Sequence, residues 1–154
     1  MAESMHLEVI TSADLSIRGN IKQLVVPTFK GETGILPDHR LYITLLDTGE
    51  IRYTDTLNKD HYLFIRDGFL EVGRENMITL ISDSIETAET LLAEKETIEK
   101  EWVELNNKIK EFQILKEDMT EKDILAMPSK LAQTLNRIRE LEIKKKIIQK
   151  VDKK

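Results

Sequence analysis

The chain has 154 residues, of which 33% are charged, and a net charge of −5. That length holds one ordinary domain or two small ones, and the acidic balance argues against nucleic acid as a partner, since phosphate binding wants a basic face. With no cysteine and no run of 18 apolar residues, a disulfide framework, a thiolate metal site and direct membrane insertion are all set aside.

The opening stretch, MAESMHLEVI, lacks the basic start and apolar run of a secretory leader, so none is expected. From there to Ser84 the chain reads as short β-rich runs broken by turn residues: HLEVIT, NIKQLVVPT, LYITLLDTG, EIRYT, HYLFIRDG, FLEVG and MITLIS. Leu7/Val9, Ile43/Leu45, Ile51/Tyr53 and Tyr62/Phe64 alternate with polar or smaller neighbours, which predicts strands with one face buried and one solvated. Five of the six glycines fall between Gly31 and Gly73, where they punctuate those strands. Many short strands joined by tight turns predict a sandwich or barrel. Within this region GETGILPDHR stands out, because its glycines permit positive φ and Pro37 fixes a bend. The stretch is expected to hold Ile35 and Leu36 out as a short apolar finger at the end of the sheet. Taken alone, it could equally be an ordinary interstrand loop.

After Ser84 there is no glycine. Ala88, Leu91, Ile98, Trp102, Leu105, Ile109 and Phe112 recur in steps of three and four, with Lys95 in the gap, predicting a helix that offers a seam to another helix. The seam fades into KEDMTEKD, where Thr120 and Asp123 have the spacing of a helix cap, and Pro128 suits the first turn of a second helix carrying Leu131, Leu135, Ile138, Leu141 and Ile148. The fold class expected is therefore α+β: an N-terminal antiparallel β-sandwich over residues 1–84 and a C-terminal α-helical hairpin over residues 85–154. Charge follows the same division. Residues 1–83 carry 8 basic and 13 acidic side chains, residues 84–123 carry 6 and 12, and residues 124–154 carry 9 and 3. An acidic helix pairing with a basic one explains this most simply; a basic end that meets an acidic partner surface is the sharper alternative.

No catalytic constellation emerges. Phosphate-cradling glycine loops, a GxSxG elbow and HExxH spacing are all missing, and His6, His39 and His61 lie far apart. The chain is accordingly expected to be no enzyme and to need no cofactor or metal.

LEVIT, VVPTFKGETGILPDHRLYITLLDTGEI and RDGFLEVGRENMITLISDSIETAE, in that order, resemble the epsilon subunit of the F-type ATP synthase. The likeness covers residues 5–90. Leu41 stands where that family usually has proline, Arg66-Asp67 replace a pair that often ends in glycine, and ITSADL lacks the usual Thr-Pro-Glu. The resemblance implies a non-catalytic rotor subunit, peripheral on the cytoplasmic face of a bacterial inner membrane, whose sandwich joins the gamma subunit to the ring of c subunits. It assigns the ring contact to the loop of Gly31, Glu32, Gly34, Ile35, Leu36, Pro37 and His39. It further implies that the two helices can extend to the catalytic head, meeting the beta and alpha subunits and slowing ATP hydrolysis. Arg137, Arg139, Lys144, Lys145 and Lys146 are then the expected contacts. The ATP-binding motif of some bacterial members is replaced here, with Leu92 and Lys95 standing for its Asp and Arg, so ATP binding of that kind is not expected. The rival reading is a free-standing adaptor presenting a helical hairpin to some other complex.

Overall fold

The structure, a computed structural model, describes residues 2–12, 17–115 and 121–152, with the side chains of 112–115 and 121–128 outside that set. The chain divides into two compact units, Met1–Thr90 and Leu91–Lys154.

The first unit is one nine-stranded sheet: β1 (Met5–Ile10), β2 (Ile17–Thr28), β3 (Gly31–Ile35), β4 (Tyr42–Leu46), β5 (Gly49–Asp55), β6 (Asp60–Ile65), β7 (Gly68–Val72), β8 (Met77–Ile81) and β9 (Ile85–Thr87). The order is β4-β7-β8-β1-β2-β5-β6-β9, with β3 also paired to β2. All pairings are antiparallel except β1 with β8. The long β2 turns the sheet into a sandwich. Its first half pairs with β1 at Ile17–Ile21 and its second half with β3 at Leu24–Thr28, both along the same edge, while β5 occupies the other edge. Between those halves the β2–β5 register shifts at Ile21/Gln23; a bulge there bends the strand. Alternate residues from both halves of the sheet then share one core: Met5, Leu7, Val9, Leu24, Val26, Ile35, Ile51, Ile65, Leu70 and Leu80 are buried together. The sheet extends to Thr87, three residues past the boundary expected at Ser84, because buried Ile85 pairs with Ile65.

β4 corrects the sequence reading. Ile43 and Leu45 do alternate, but they face outward, at 63% and 57% exposure, and Leu46 is the residue of β4 that enters the core. Alternation gives the period, whereas pairing with β7 decides which face is inside: Thr44 lies opposite buried Leu70, and Leu45 opposite Phe69.

The helical part comprises α1 (Ala88–Ala93), α2 (Lys95–Leu115) and α3 (Glu121–Asp152). Thr87 caps α1, its hydroxyl accepting the Thr90 N–H at 3.3 Å. The single first helix expected from Ala88 is in fact interrupted at Glu94, leaving two helices where one was foreseen. Ala88, Leu91 and Ile98 are buried as expected and Trp102, Leu105 and Ile109 half-buried. The side chain of Phe112 and the whole of Thr120 lie outside the described residues. Because α3 begins at Glu121, Pro128 falls beyond the first turn, where its missing N–H leaves the Ile124 carbonyl without that helical donor. On α3 the seam consists of Ile138, Leu141, Lys144, Ile147 and Ile148, while Leu135 is half out in solvent. Cross-helix pairs run in opposite order, Lys95 to Asp152, Glu99 to Lys145 and Glu101 to Arg137, so α2 and α3 are antiparallel.

Candidate partner-contact surfaces

The stretch singled out by its glycines and proline is a strand followed by a loop, and the two serve different ends of the sheet. Before it, the β2–β3 turn is held by buried Thr28, whose hydroxyl donates to the Gly31 carbonyl at 2.9 Å and accepts the Lys30 N–H at 3.2 Å. Gly31 has φ of +101°, a conformation a side chain would strain. This turn projects Phe29, 77% exposed, with Lys30 beside it and Glu32 exposed opposite Pro27. Three further turns adjoin it. The Asp47 N–H donates to the Pro27 carbonyl at 3.0 Å, Thr48 lies 3.5 Å from the Asp67 carboxylate, and the Ser82 hydroxyl donates to the Asp67 carbonyl at 2.6 Å.

Past β3 the chain forms a second cluster. Ile35 is wholly buried in the core, whereas its neighbour Leu36 is 56% exposed. Asp38 takes up φ of +64°; its N–H donates to the Asn76 side-chain oxygen at 2.6 Å, and its carboxylate accepts from the Asn76 amide and the Ala2 N–H. Those bonds hold its carboxyl below the ordinary carboxylate range. His39 is fixed by its N–H to the Leu36 carbonyl, by Nδ1 at 2.8 Å from the Arg40 carbonyl, and by the Tyr42 ring. The strand rises about 3.3 Å per residue. Glu32 and His39 therefore stand at opposite ends of β3, and the structure does not bring them together.

The third surface was not singled out in the sequence. On the outer face of β4, β7, β8 and β1, the register aligns Leu45, Phe69, Ile81 and Ile10 in one row across four strands. The adjacent row is Ile43, Glu71, Thr79 and Glu8, and Met77 begins the next, beside His6. Ile10, Ile43, Leu45, Met77 and Ile81 are all exposed. The available signal was LYITLL, which is apolar on both sides of the strand, as befits a strand covered on both faces.

The basic residues of α3 divide. Arg137 grips Glu101 through Nε at 2.6 Å and Nη2 at 2.9 Å, and reaches Glu140 at 3.1 Å. Hydrogen bonding from Arg137, then the charges of Arg137 and Lys144, keep the Glu101 carboxyl below its ordinary range, and the guanidinium is held correspondingly more firmly charged. Lys145 pairs with Glu99 at 3.1 Å and lies 3.7 Å above the Trp102 ring; Lys144 is buried. Arg139 and Lys146 are exposed. At the positions of the replaced ATP motif, Leu91 is buried, Leu92 is partly exposed and Lys95 is engaged by Asp152 at 2.8 Å. Among the described residues no group of three or more His, Asp or Glu could hold a metal ion, and no helix is long and apolar enough to cross a membrane.

Comparison with known proteins matches the sandwich to one family. The pattern described as "ATP synthase, Delta/Epsilon chain, beta-sandwich domain" matches residues 4–88. The chain is similar to the ATP synthase epsilon chain of Nitratidesulfovibrio vulgaris (strain Miyazaki F), at 34% identity over 95 residues, covering 62% of this chain and 69% of that protein. Similarity to the epsilon chain of Desulfosudis oleivorans is 36% over 91 residues, covering 59% of this chain and 68% of the relative. In fold the chain is similar to a chain of the Euglena gracilis mitochondrial ATP synthase, with a TM-score of 0.58 at 16% identity, covering 99% of this chain and 81% of the other. The free-standing adaptor is not favoured by any of these. The chain belongs to the ATP synthase delta/epsilon family.

Proposed function

We propose that this chain is the non-catalytic epsilon-type subunit in the central stalk of a rotary ATP synthase, joining the gamma subunit to the c-subunit ring on the cytoplasmic face of a bacterial inner membrane. The observation that carries the reading is the apolar outer face. A four-strand row of Leu45, Phe69, Ile81 and Ile10 facing water is what a permanent neighbour covers. In this reading gamma docks there. The β2–β3 turn, with Gly31 and Glu32, meets the polar loops of the ring, while Gly34, Ile35, Leu36, Pro37 and His39 form the strand and loop that brace it. Exposed pairs contribute only about 0.2–1 kcal/mol each, so that ring contact works by shape more than by charge.

The hairpin is the regulatory part of the proposal. In this reading Arg139 and Lys146, both exposed, face the catalytic head, and Arg137 and Lys145 reach it only after releasing Glu101 and Glu99, as a rearrangement of the hairpin would require. Removing residues 120–154 is expected to raise ATP hydrolysis while assembly persists. The whole reading is tested by affinity purification of the tagged chain from native membranes. Gamma, c, alpha and beta subunits should come with the chain, and recovery of the chain without gamma would end the proposal. A Glu32→Lys variant should lower coupling of proton flow to ATP synthesis in membrane vesicles.

A further inference from the structure

The outer face of the sandwich carries one charge out of keeping with its apolar surroundings. Glu71 on β7 lies directly opposite Ile43 on one side and Thr79 on the other, with Phe69 two residues before it on the same face. Diagonally it is bordered by Leu45, Ile81 and Met77. It is exposed, and no described residue pairs with it. The next carboxylate of the same row, Glu8, has its own partner, Arg18 at 3.1 Å. As long as the face meets water, Glu71 costs nothing. Once a neighbour covers the rows around it, the carboxylate loses its hydration, and a buried charge without a counter-charge is expensive.

We infer that Glu71 is the charge key of this face: the surface of gamma that covers it places a lysine or arginine on the Glu71 carboxylate, within an otherwise apolar contact. The inference rests on the reading of the face as the gamma dock and adds what that reading lacks, a determinant of orientation. An apolar patch on a sheet tolerates sliding or rotation of its partner, whereas a single buried ion pair fixes one register. Charge complementarity selects the occupant. A second copy of this chain would bring its own Glu71 and Glu8 to an acidic row, and a surface with no cation would leave the carboxylate unmatched.

The test is titration of the full-length chain against the cognate gamma subunit. Truncating one partner of a buried charge pair typically costs 2 kcal/mol or more, so Glu71→Gln is expected to weaken binding about thirtyfold and to flatten its salt dependence. Glu71→Lys should weaken it further and be rescued by an acidic substitution of the partnering gamma cation. Leu45→Asp should abolish binding. Both positions are exposed, so unchanged thermal melting should confirm that each variant folds. If Glu71→Gln binds as tightly as the parent while Leu45→Asp does not bind, the charge key is wrong and the docking face stands. If Leu45→Asp binds normally, the docking face falls and the key with it. Sedimentation of the chain alone should give a monomer; a dimer disrupted by Leu45→Asp would put a second copy on the face and overturn the inference.

Discussion

The sandwich and the hairpin bury themselves by different means. In the sandwich, apolar side chains far apart in sequence, from Met5 to Ile85, meet in one core, and its buried hydroxyls are satisfied: Thr28 by the Gly31 carbonyl, Ser82 by the Asp67 carbonyl. In the hairpin the described seam is narrow, with Ile98, Ile138, Leu141, Ile147 and Ile148 at its centre and buried Lys144 among them. Half-exposed ion pairs clasp its flanks, and the buried indole N–H of Trp102 has no hydrogen-bond partner among the described residues. Long-range burial yields a body that opens all at once or not at all. A thin seam with polar clasps yields an arrangement that separates at modest cost. The difference suits a chain with one half for permanent attachment and one half for regulation.

The comparison breaks most visibly in the core. Leu24→Ala or Leu70→Ala should destabilise the sandwich by about 2–5 kcal/mol in denaturant unfolding, through lost burial and the cavity left behind. Gly68→Ala comes next, because its new Cβ would lie 2.9 Å from the Ile81 carbonyl oxygen and 2.7 Å from the Ile65 side chain. Overpacking of that kind costs about 1–3 kcal/mol. On the hairpin side, Arg137→Ala should loosen α2 against α3 by about 0.5–1 kcal/mol, since it removes a bidentate pair whose carboxylate water can still reach, and should leave sandwich unfolding unmoved. Trp102, the only tryptophan, reports that loosening by fluorescence.

Acid sharpens the contrast more gently. The Glu101 carboxyl is held below its unfolded value by Arg137, so its contribution is fully present above that unfolded value, about 4.3, and is lost as pH falls through the lower folded value. Trp102 fluorescence should therefore stay constant from pH 7 to about 5 and change below about 4, and Glu101→Gln should remove this component of the change. A similarly small effect is expected from Lys145→Gln, about 0.5–1 kcal/mol, for loss of the cation over the Trp102 ring and of the Glu99 pair.

How much of this the sequence disclosed follows the same divide. Strand periods and glycine punctuation marked out the sheet, and the Gly31–His39 stretch was visible as unusual from its residue types. What could not be read was direction. A period of two is the same whether Ile43 and Leu45 face the core or a partner, and only pairing with β7 decides. For the same reason Ile35 and Leu36 looked like one apolar finger, although the pleat sends them to opposite sides, one into the core and one into solvent. On α3 the seam included Lys144 and Ile147, since a long aliphatic stem can line a seam that apolar residues alone would mark. The charge division between the helices was legible, and its simpler meaning accounts for Arg137 and Lys145, each engaged by α2.

Residue-resolved hydrogen exchange of the full-length chain tests the two-part account most directly. Amides of Leu24, Val26, Leu70 and Leu80 should exchange only through global unfolding, while those of Ile98, Ile138 and Leu141 should exchange through a smaller opening that Arg137→Ala accelerates. Equal protection across sheet and helices, unaffected by that substitution, would contradict it.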